Sequence, residues 1–358
     1  MSLKGREKHF FLGGNTPEGF YSYYDYLISQ ENARRIYCIK GGPGTGKSTF
    51  MKKIAEAVIK KGCDVEYAHC SSDPDSLDGI IIKPMNVAFV DGTSPHIVDP
   101  KTPGAVDRIL YLGDCWREAE IACHKEGIMR TNKKISECFM TAYSYLCASK
   151  ILKNNADNIC KKSMQKNISD MYTESMIFRE FAEMPVSEVR GEERKLFATG
   201  ITPKGLVNYT ESLLDGYKTY VIKGYSDGFL NNICRVALSR GFDVEAYYCP
   251  FSPDKKIDHV LIPKLNLGFT TSNDYHFYDK GEVIDFTEFS SKYIMETHKG
   301  EYTFSSQQAK VLIDKAIETI GTAKSYHDEL EKYYIPAMDF GKIDDIYEKT
   351  MKEVLEFI

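Results

Sequence analysis

Gly41-Gly42-Pro43-Gly44-Thr45-Gly46-Lys47-Ser48 is the stretch that decides the fold, because it fits G-x-x-x-x-G-K-[ST] at every fixed position. An apolar run over residues 36–39 leads into it, and a helical pattern over 50–61 leads out. Strand, glycine-rich loop and helix in that order predict a phosphate-binding turn. The glycines let the backbone curl until several N–H groups face one anion. The first turn of the helix adds its partial positive charge. Lys47 is the candidate for the β- and γ-phosphates and for charge that develops during transfer, Ser48 for magnesium, and Thr49 for a weaker phosphate contact.

Magnesium in such a site needs a second, acidic anchor at the end of a neighbouring strand. Asn86-Val87-Ala88-Phe89-Val90-Asp91 supplies one, an apolar strand ending in a single carboxylate. Lys47 and Asp91 are thus candidate catalytic residues, and Ser48 and Asp91 candidate metal ligands. The cofactors expected are ATP and magnesium; no guanine-reading N-K-x-D segment stands against ATP.

Working outward, the chain is written twice. Phe11-x-x-Gly14-x-Thr16-Pro17-x-Gly19 returns as Phe197-x-x-Gly200-x-Thr202-Pro203-x-Gly205. Tyr37-Cys38-Ile39-Lys40-Gly41 returns as Tyr220-Val221-Ile222-Lys223-Gly224, and Gly62-Cys63-Asp64-Val65-Glu66 as Gly241-Phe242-Asp243-Val244-Glu245. Cys70, Pro74-Asp75, Asp78, Asn86 and His96 find partners in Cys249, Pro253-Asp254, Asp258, Asn266 and His276. Each copy reads strand, loop, helix, strand, strand, which predicts a βαβ unit and a parallel sheet covered by helices. An amphipathic helical region follows in each: Ile135, Cys138, Phe139, Ala142, Tyr145 and Leu146 in the first, Ala309, Leu312, Ile313, Ala316, Ile317 and Ile320 in the second. A last helix carries Ile343, Ile346, Tyr347, Met351, Val354, Leu355 and Ile358. These stripes read as helix packing.

The fold expected is therefore α/β, a P-loop NTPase-like parallel sheet with flanking helices, duplicated in tandem. The first lobe spans 1–185, with an α/β core over about 8–104 and helices over about 105–183. A linker follows at 186–195, where Pro185, Gly191 and dense charge mark an exposed boundary. The second lobe spans 196–358, with its core over about 196–290 and helices over about 303–358. The two lobes are expected to pack as an internal pseudo-dimer.

The repeat serves as a control. At the second loop the sequence is Gly224-Tyr225-Ser226-Asp227-Gly228-Phe229, about four residues shorter, without lysine or the hydroxyl pair. Thr271 stands where the first copy has Asp91. Both halves of the magnesium–triphosphate machinery are missing together, so one competent site is expected, in the first lobe. Asp75, Asp78 and His96 are shared with the second copy and read as structural. Asp73 and His69 are not shared, being Ser252 and Tyr248 there. Ligands in parallel α/β sheets sit beyond the carboxyl ends of the strands. Asp73 is accordingly a candidate to orient water or accept a proton, and His69 a candidate neighbour, against the plainer readings of a solvated loop carboxylate and a packed strand-end histidine. Gly92 occupies the place after Asp91 where vigorous motor ATPases carry a glutamate. A charge-stabilising arginine could come from Arg108, Arg117, Arg130, Arg235 or Arg240. Phe20, Tyr21, Tyr23, Tyr24 and Tyr26 read as packing rather than as a base platform.

These motifs, with Asp91-Gly92-Thr93-Ser94-Pro95-His96, His69-Cys70-Ser71-Ser72-Asp73-Pro74-Asp75-Ser76-Leu77-Asp78 and Val98-Asp99-Pro100-Lys101-x-Pro103-Gly104-Ala105, give the chain a likeness over nearly its whole length. It resembles a family of tandem P-loop ATP-binding proteins, described as ATPases, of Gram-positive anaerobes and spore formers. The resemblance implies nucleotide binding and names no substrate. In that family's pattern the second loop is intact, and this sequence departs from it at residues 224–229.

Composition narrows the classes. With 42 % hydrophobic and 27 % charged residues in a chain of 358, a folded protein of about two domains is expected, not a disordered one. A net charge of −5 gives no pull toward nucleic acid or an anionic membrane. No run approaches about 18 apolar residues, so no membrane span is expected. Ten cysteines without a C-x-x-C pair, several in apolar runs (Cys38, Cys70, Cys138, Cys147, Cys249), read as buried reduced thiols. With a polar, charged start over Met1 to Phe11, a cytoplasmic protein is expected. Three functions compete: a weak ATPase that positions its lobes, a small-molecule kinase with a helical lid, and a non-enzymatic nucleotide sensor whose degenerate lobe binds a protein partner.

Overall fold

Strict alternation in the strands fixes where every layer lies. In the strand Arg35–Lys40, Tyr37 and Ile39 point to one apolar cluster while Ile36 and Cys38 point to another. Val87 and Phe89 oppose Ala88 and Val90 in the same way, and Ile80 and Ile82 oppose Ile81. A period of two places successive side chains on opposite faces, so these sheets are buried on both sides. The computed structural model describes residues 4–94, 97–226 and 228–357. Met1-Ser2-Leu3, Pro95, His96, Asp227 and Ile358 lie outside the described residues, so the structural reading of His96 finds no description here.

The elements of the first half are β1 (Glu7–Phe11), β2 (Gly13–Thr16), β3 (Gly19–Ser22), β4 (Arg35–Lys40), α1 (Lys47–Ile59), β5 (Val65–Cys70), β6 (Asp73–Ile82), β7 (Val87–Asp91), β8 (Asp107–Tyr111), α2 (Glu118–Ala122), α3 (Lys125–Ser163) and α4 (Lys166–Phe181). The second half has β9 (Glu193–Leu196), β10 (Thr199–Thr202), β11 (Gly205–Asn208), α5 (Thr210–Leu214), β12 (Lys218–Lys223), α6 (Phe229–Ser239), β13 (Val244–Cys249), β14 (Ser252–Ile262), β15 (Leu267–Ser272), β16 (Glu282–Asp285), α7 (Lys292–Thr297), α8 (Lys299–Tyr334) and α9 (Phe340–Leu355).

Two similar six-stranded sheets result, ordered β1-β5-β6-β7-β4-β8 and β9-β13-β14-β15-β12-β16. The expectation of parallel sheets needs correcting: each is mixed, with β6 or β14 antiparallel to its neighbours and the other pairings parallel. Only Ser71-Ser72 joins β5 to β6, and so short a connection forces a hairpin. Its first half hides from sequence reading because Pro74 and two aspartates look like loop. The ladder is irregular there, shifting register beside His69, and becomes regular at the Gly79–Ile82 end.

The inner faces of the two sheets pack on each other through one shared core. Small side chains on one side, such as Cys38, Ala68 and Ala88, meet Val221, Tyr247 and Leu261 on the other. A local twofold runs between equivalent residues: Phe11 and Phe197 exchange backbone hydrogen bonds of 2.8 and 3.0 Å. Four largely buried charges surround it, Lys8 and Arg194 against Glu66 and Glu245. Arg194 lies 2.8 Å from Glu66 and 3.5 Å from Glu245, and Lys8 also pairs with Glu245. The aromatic cluster is packing, as expected: Tyr23 is buried and lies tilted against Phe197 with ring centroids 4.8 Å apart.

Helices cover the outer faces, and they are exchanged. α3 and α8 run antiparallel between the lobes: Asn155 donates to Ser305 at 2.9 Å near one end, and His124 faces Tyr333 at 5.2 Å near the other. The 39 residues of α3 span roughly 58 Å at helical rise. α4 thereby lands on the second lobe, where Met176 and Phe181 join the core of Phe229, Ile233 and Phe269. α9 lands on the first, where Met351 and Val354 join Phe50, Ile54 and Phe89. Symmetric bonds fasten both: Tyr220 donates to Glu180 at 2.6 Å and Tyr37 to Glu353 at 3.1 Å. The repeat reaches through these helices, since α3 and α8 start from equivalent His124 and His298 with the same φ of −103°. All ten cysteines are free, and Cys147, expected in a packed run, is exposed. Among the described residues no helix is long and apolar enough to cross a membrane.

Candidate functional site

The loop at 41–46 joins the end of β4 to the start of α1, between two sheet neighbours. β7 and β8 flank β4, both parallel to it, and Ile39 stands opposite Asp91 in the register. The carboxyl ends of β4 and β7, the first turn of α1 and the loop therefore converge. Positive φ at Gly44 (67°) and Gly46 (81°) turns the chain into the helix, a conformation costly to residues with a Cβ. Thr45 is buried and its hydroxyl donates to the Gly42 carbonyl at 2.9 Å, bracing the curl. A methyl on Gly41 would lie 2.9 Å from that hydroxyl oxygen. The leading N–H groups of α1 have no intrahelical acceptor, as at any helix start.

Lys47 folds back over the loop. Its Nζ donates to the carbonyls of Gly41 and Gly42 at 3.1 and 3.0 Å and lies 3.5 Å from Asp91 Oδ2. Asp91 is the last residue of β7 and is held by Thr93, whose N–H donates to Oδ1 at 2.9 Å and whose hydroxyl donates to the same oxygen. Ser48 Oγ accepts the N–H of Leu77 at 3.0 Å. Thr49 is exposed, and Pro43 sits partly covered in the loop. Lys47, Ser48 and Asp91 are thus brought to one place from α1 and β7. This donor set fits a triphosphate with magnesium: one ammonium, a hydroxyl and a strand-end carboxylate around a glycine-lined turn.

Asp73 begins β6 beside them. Its carboxylate accepts Ser76 Oγ at 2.9 Å and the N–H of Asp75 at 3.3 Å. It also lies 3.5 Å from Lys324 Nζ, on α8. Ser76 precedes Leu77, which bonds Ser48, so Asp73 is tied to the loop end of the site. His69 is directed elsewhere. Its Nδ1 donates to the Pro74 carbonyl at 2.9 Å, which leaves Nε2 to accept from His9 Nδ1 at 2.9 Å, and its ring stacks on Tyr209 at 4.5 Å. Burial is the main reason its pKa is pulled down to about 4. It is a packed histidine of the lobe junction. The shared Asp78 is buried and Asp75 is exposed, the latter paired with Lys204.

Trp116 and, from the second half of the chain, Tyr334 and Ile335 cover the loop, which the sequence did not disclose. A methyl on Gly42 would lie 3.0 Å from the Trp116 indole and 3.8 Å from Tyr334, and one on Gly44 would lie 2.7 Å from Ile335. Trp116 Nε1 is buried without a hydrogen-bond partner. Two turns back along α8 from Tyr334, His327 is held below its ordinary pKa chiefly by burial, with Lys324 and Lys47 adding to that and Glu331 opposing it. His327, Asp328 and Glu331 hold ligand atoms within 4.8 Å of one another, although Asp328 is already engaged by Lys324. The arginines are occupied or remote: Arg108 pairs with Glu353 at 2.6 Å, Arg117 with Glu120 at 2.6 Å, Arg240 donates to the Met184 carbonyl, and Arg130 and Arg235 are exposed. A surface cavity of about 360 Å³, lined by Leu214, Tyr217, Tyr278 and Lys280, shares no residue with the loop. The loop is the candidate site on its chemistry, not on concavity.

At the second loop, five residues become four: Lys223 and Gly228 bracket it where Lys40 and Gly46 bracket the first. The rest of the four-residue shortening falls in α6 and its following turn. Gly228 repeats Gly46, with φ of 82°, but Phe229 takes the position of Lys47 and is buried between Phe269 and Phe286. Ile222 stands opposite Thr271 as Ile39 stands opposite Asp91, and Thr271 Oγ1 bonds His276 at 2.7 Å.

No family model, curated protein or solved structure matches the chain.

Proposed function

We propose that this chain binds a nucleoside triphosphate, ATP by preference, with magnesium at the Gly41–Ser48 loop, hydrolyses it slowly, and uses nucleotide state to position its two lobes. One observation carries the reading: Lys47 Nζ stands 3.5 Å from the Asp91 carboxylate, at the carboxyl ends of adjacent parallel strands, over a glycine-lined turn. In this reading the loop amides and Lys47 hold the phosphates. Ser48 gives its hydroxyl to magnesium and Asp91 anchors the ion's water shell. Magnesium supplies charge neutralisation across the phosphates. Asp73, beside Ser48, orients the attacking water. Gly92 in place of a strand-end glutamate keeps turnover slow. The second lobe, with Phe229 and Thr271 where Lys47 and Asp91 stand, is the non-binding partner of an internal pseudo-dimer.

Calorimetric titration of Mg·ATP into wild type, Lys47→Ala and Asp91→Ala, with phosphate release followed on the same samples, tests this. One binding event, lost or weakened at least tenfold in Lys47→Ala, is expected, with slow phosphate release. Two equal events, or binding indifferent to Lys47, refute the single-site reading. Phosphate appearing on an added acceptor would make the protein a small-molecule kinase. Tight binding without turnover would make it a nucleotide sensor.

A further inference from the structure

We propose that Lys324, delivered by α8 from the second half of the chain, contacts the γ-phosphate of the nucleotide held by the Gly41–Ser48 loop, giving up its carboxylate partners Asp73 and Asp328 to do so. The inference rests on the nucleotide reading of that loop and adds the residue that distinguishes triphosphate from diphosphate.

Charge makes the demand. Phosphoryl transfer in loops of this kind uses a cation beyond the loop lysine and the metal to stabilise the outer phosphate. Of the five arginines the sequence offered, three are bonded elsewhere and two are exposed and carry no contact with the loop. Lys324 is the cation that the fold brings instead. Its side chain is 27 % exposed and its Nζ lies 3.5 Å from Asp73. Asp73 connects through Ser76 and Leu77 to Ser48, the magnesium hydroxyl. The ammonium is therefore joined to the Ser48 end of the loop, and Trp116 and Tyr334 lie over Gly42.

Its present partners are replaceable. The pair with Asp328 is a partly exposed i,i+4 contact, a type that contributes little. A phosphate oxygen offers the same charge-assisted bond in a drier setting. Release of Asp73 leaves that carboxylate oxygen to the water it is proposed to orient, so one side-chain movement would fill both roles.

The repeat explains why this lysine faces the loop. Equivalent caps at His124 and His298 set Lys150 of α3 at the position of Lys324. Lys150 is tied to Glu18, in the turn of the first hairpin. In the second hairpin that turn carries Lys204, which pairs with Asp75. With no carboxylate in the turn, Lys324 is directed to Asp73, a residue that the second copy replaces with Ser252.

The test is calorimetric titration of Mg·ATP and Mg·ADP into the full chain as wild type, Lys324→Ala, Lys324→Arg and Asp328→Asn, each checked for unchanged melting. Wild type should prefer ATP. Lys324→Ala should lose about tenfold to a hundredfold of that preference, the range for one charge-assisted hydrogen bond, with ADP affinity held within about twofold. Lys324→Arg and Asp328→Asn should keep the preference. Equal affinity for the two nucleotides in wild type, a preference unchanged in Lys324→Ala, or equal loss of ATP and ADP binding would each overturn the assignment while the loop reading stands. Wild type that binds neither nucleotide would refute the loop reading and the assignment with it.

Discussion

Phe181→Ala is the sharpest probe of the helix exchange. Phe181 ends α4, in the first half of the chain, yet it is fully buried in the core of the second lobe, 6.5 Å from the Phe242 ring. Truncating a fully buried phenylalanine costs about 3–5 kcal/mol through lost transfer energy and the cavity left behind. At about 1.4 kcal/mol per decade, the open population of the elements it supports should rise by roughly a hundredfold to a thousandfold or more. The loss belongs to α6 and β12, which follow it in the chain, and not to α1 and β4, which precede it. Native-state hydrogen exchange read by peptide mass spectrometry separates these. Protection should collapse first over residues 218–239 and persist over 35–59. Val354→Ala in α9, also fully buried, should give the mirror result at about 1–3 kcal/mol. Loss of protection at 35–59 in Phe181→Ala, with 218–239 unchanged, would refute the exchange and restore lobes that are contiguous in sequence.

Gly44→Ala should weaken Mg·ATP binding in titration and destabilise by about 1–2 kcal/mol, since φ is 67° and the new methyl meets Ile335 at 2.7 Å. Gly228→Ala shares the backbone strain but meets nothing within 4 Å, so it should lower stability by about 1 kcal/mol and leave binding alone. Arg194→Met removes a cation from between Glu66 and Glu245 and should cost about 3–5 kcal/mol in denaturant melts at pH 7. Acid should weaken the fold through two histidines held neutral, His69 with its pKa pulled down to about 4 and His259 to about 3, in both cases chiefly by burial. The unfolded chain takes up their protons below about 6.5, so their contribution is complete above that pH and falls away as the pH drops toward 4 and 3. Each should cost about 2 kcal/mol by pH 5. Glu245, held down to about 2 by Lys8 and Arg194 against its burial, acts in the same direction but in a lower window. Its contribution is complete above about pH 4.5 and is lost only as the pH falls toward 2. Denaturant titrations at pH 7.5 and 5 therefore read the histidines, and His69→Asn should flatten the difference.

Local chemistry determined much of this protein. Residues 36–48 specify strand, curled loop and helix start by themselves, because glycine φ freedom, alternation and helix-start amides are all short-range properties. Asp91 was legible as a strand end, and comparing the copies located residues 224–229 and Thr271 as the points where the second half departs; the registers set Thr271 opposite Ile222 as Asp91 stands opposite Ile39, while the match of Phe229 to Lys47 needed the helix start. The sequence did not determine β6 and β14, whose strand character comes from pairing across a two-residue turn against the local preference of proline and aspartate. It also gave no sign of the exchange. The amphipathic stripes of α4 and α9 declare an apolar face but not the sheet that receives it, and either sheet presents nearly the same surface because both come from one repeat. Only the length and antiparallel course of α3 and α8, which carry each arm past its own lobe, decided that choice. They also brought Tyr334 to a loop nearly three hundred residues earlier in the chain, and Lys324 to Asp73 beside it, proximities that no local pattern encodes.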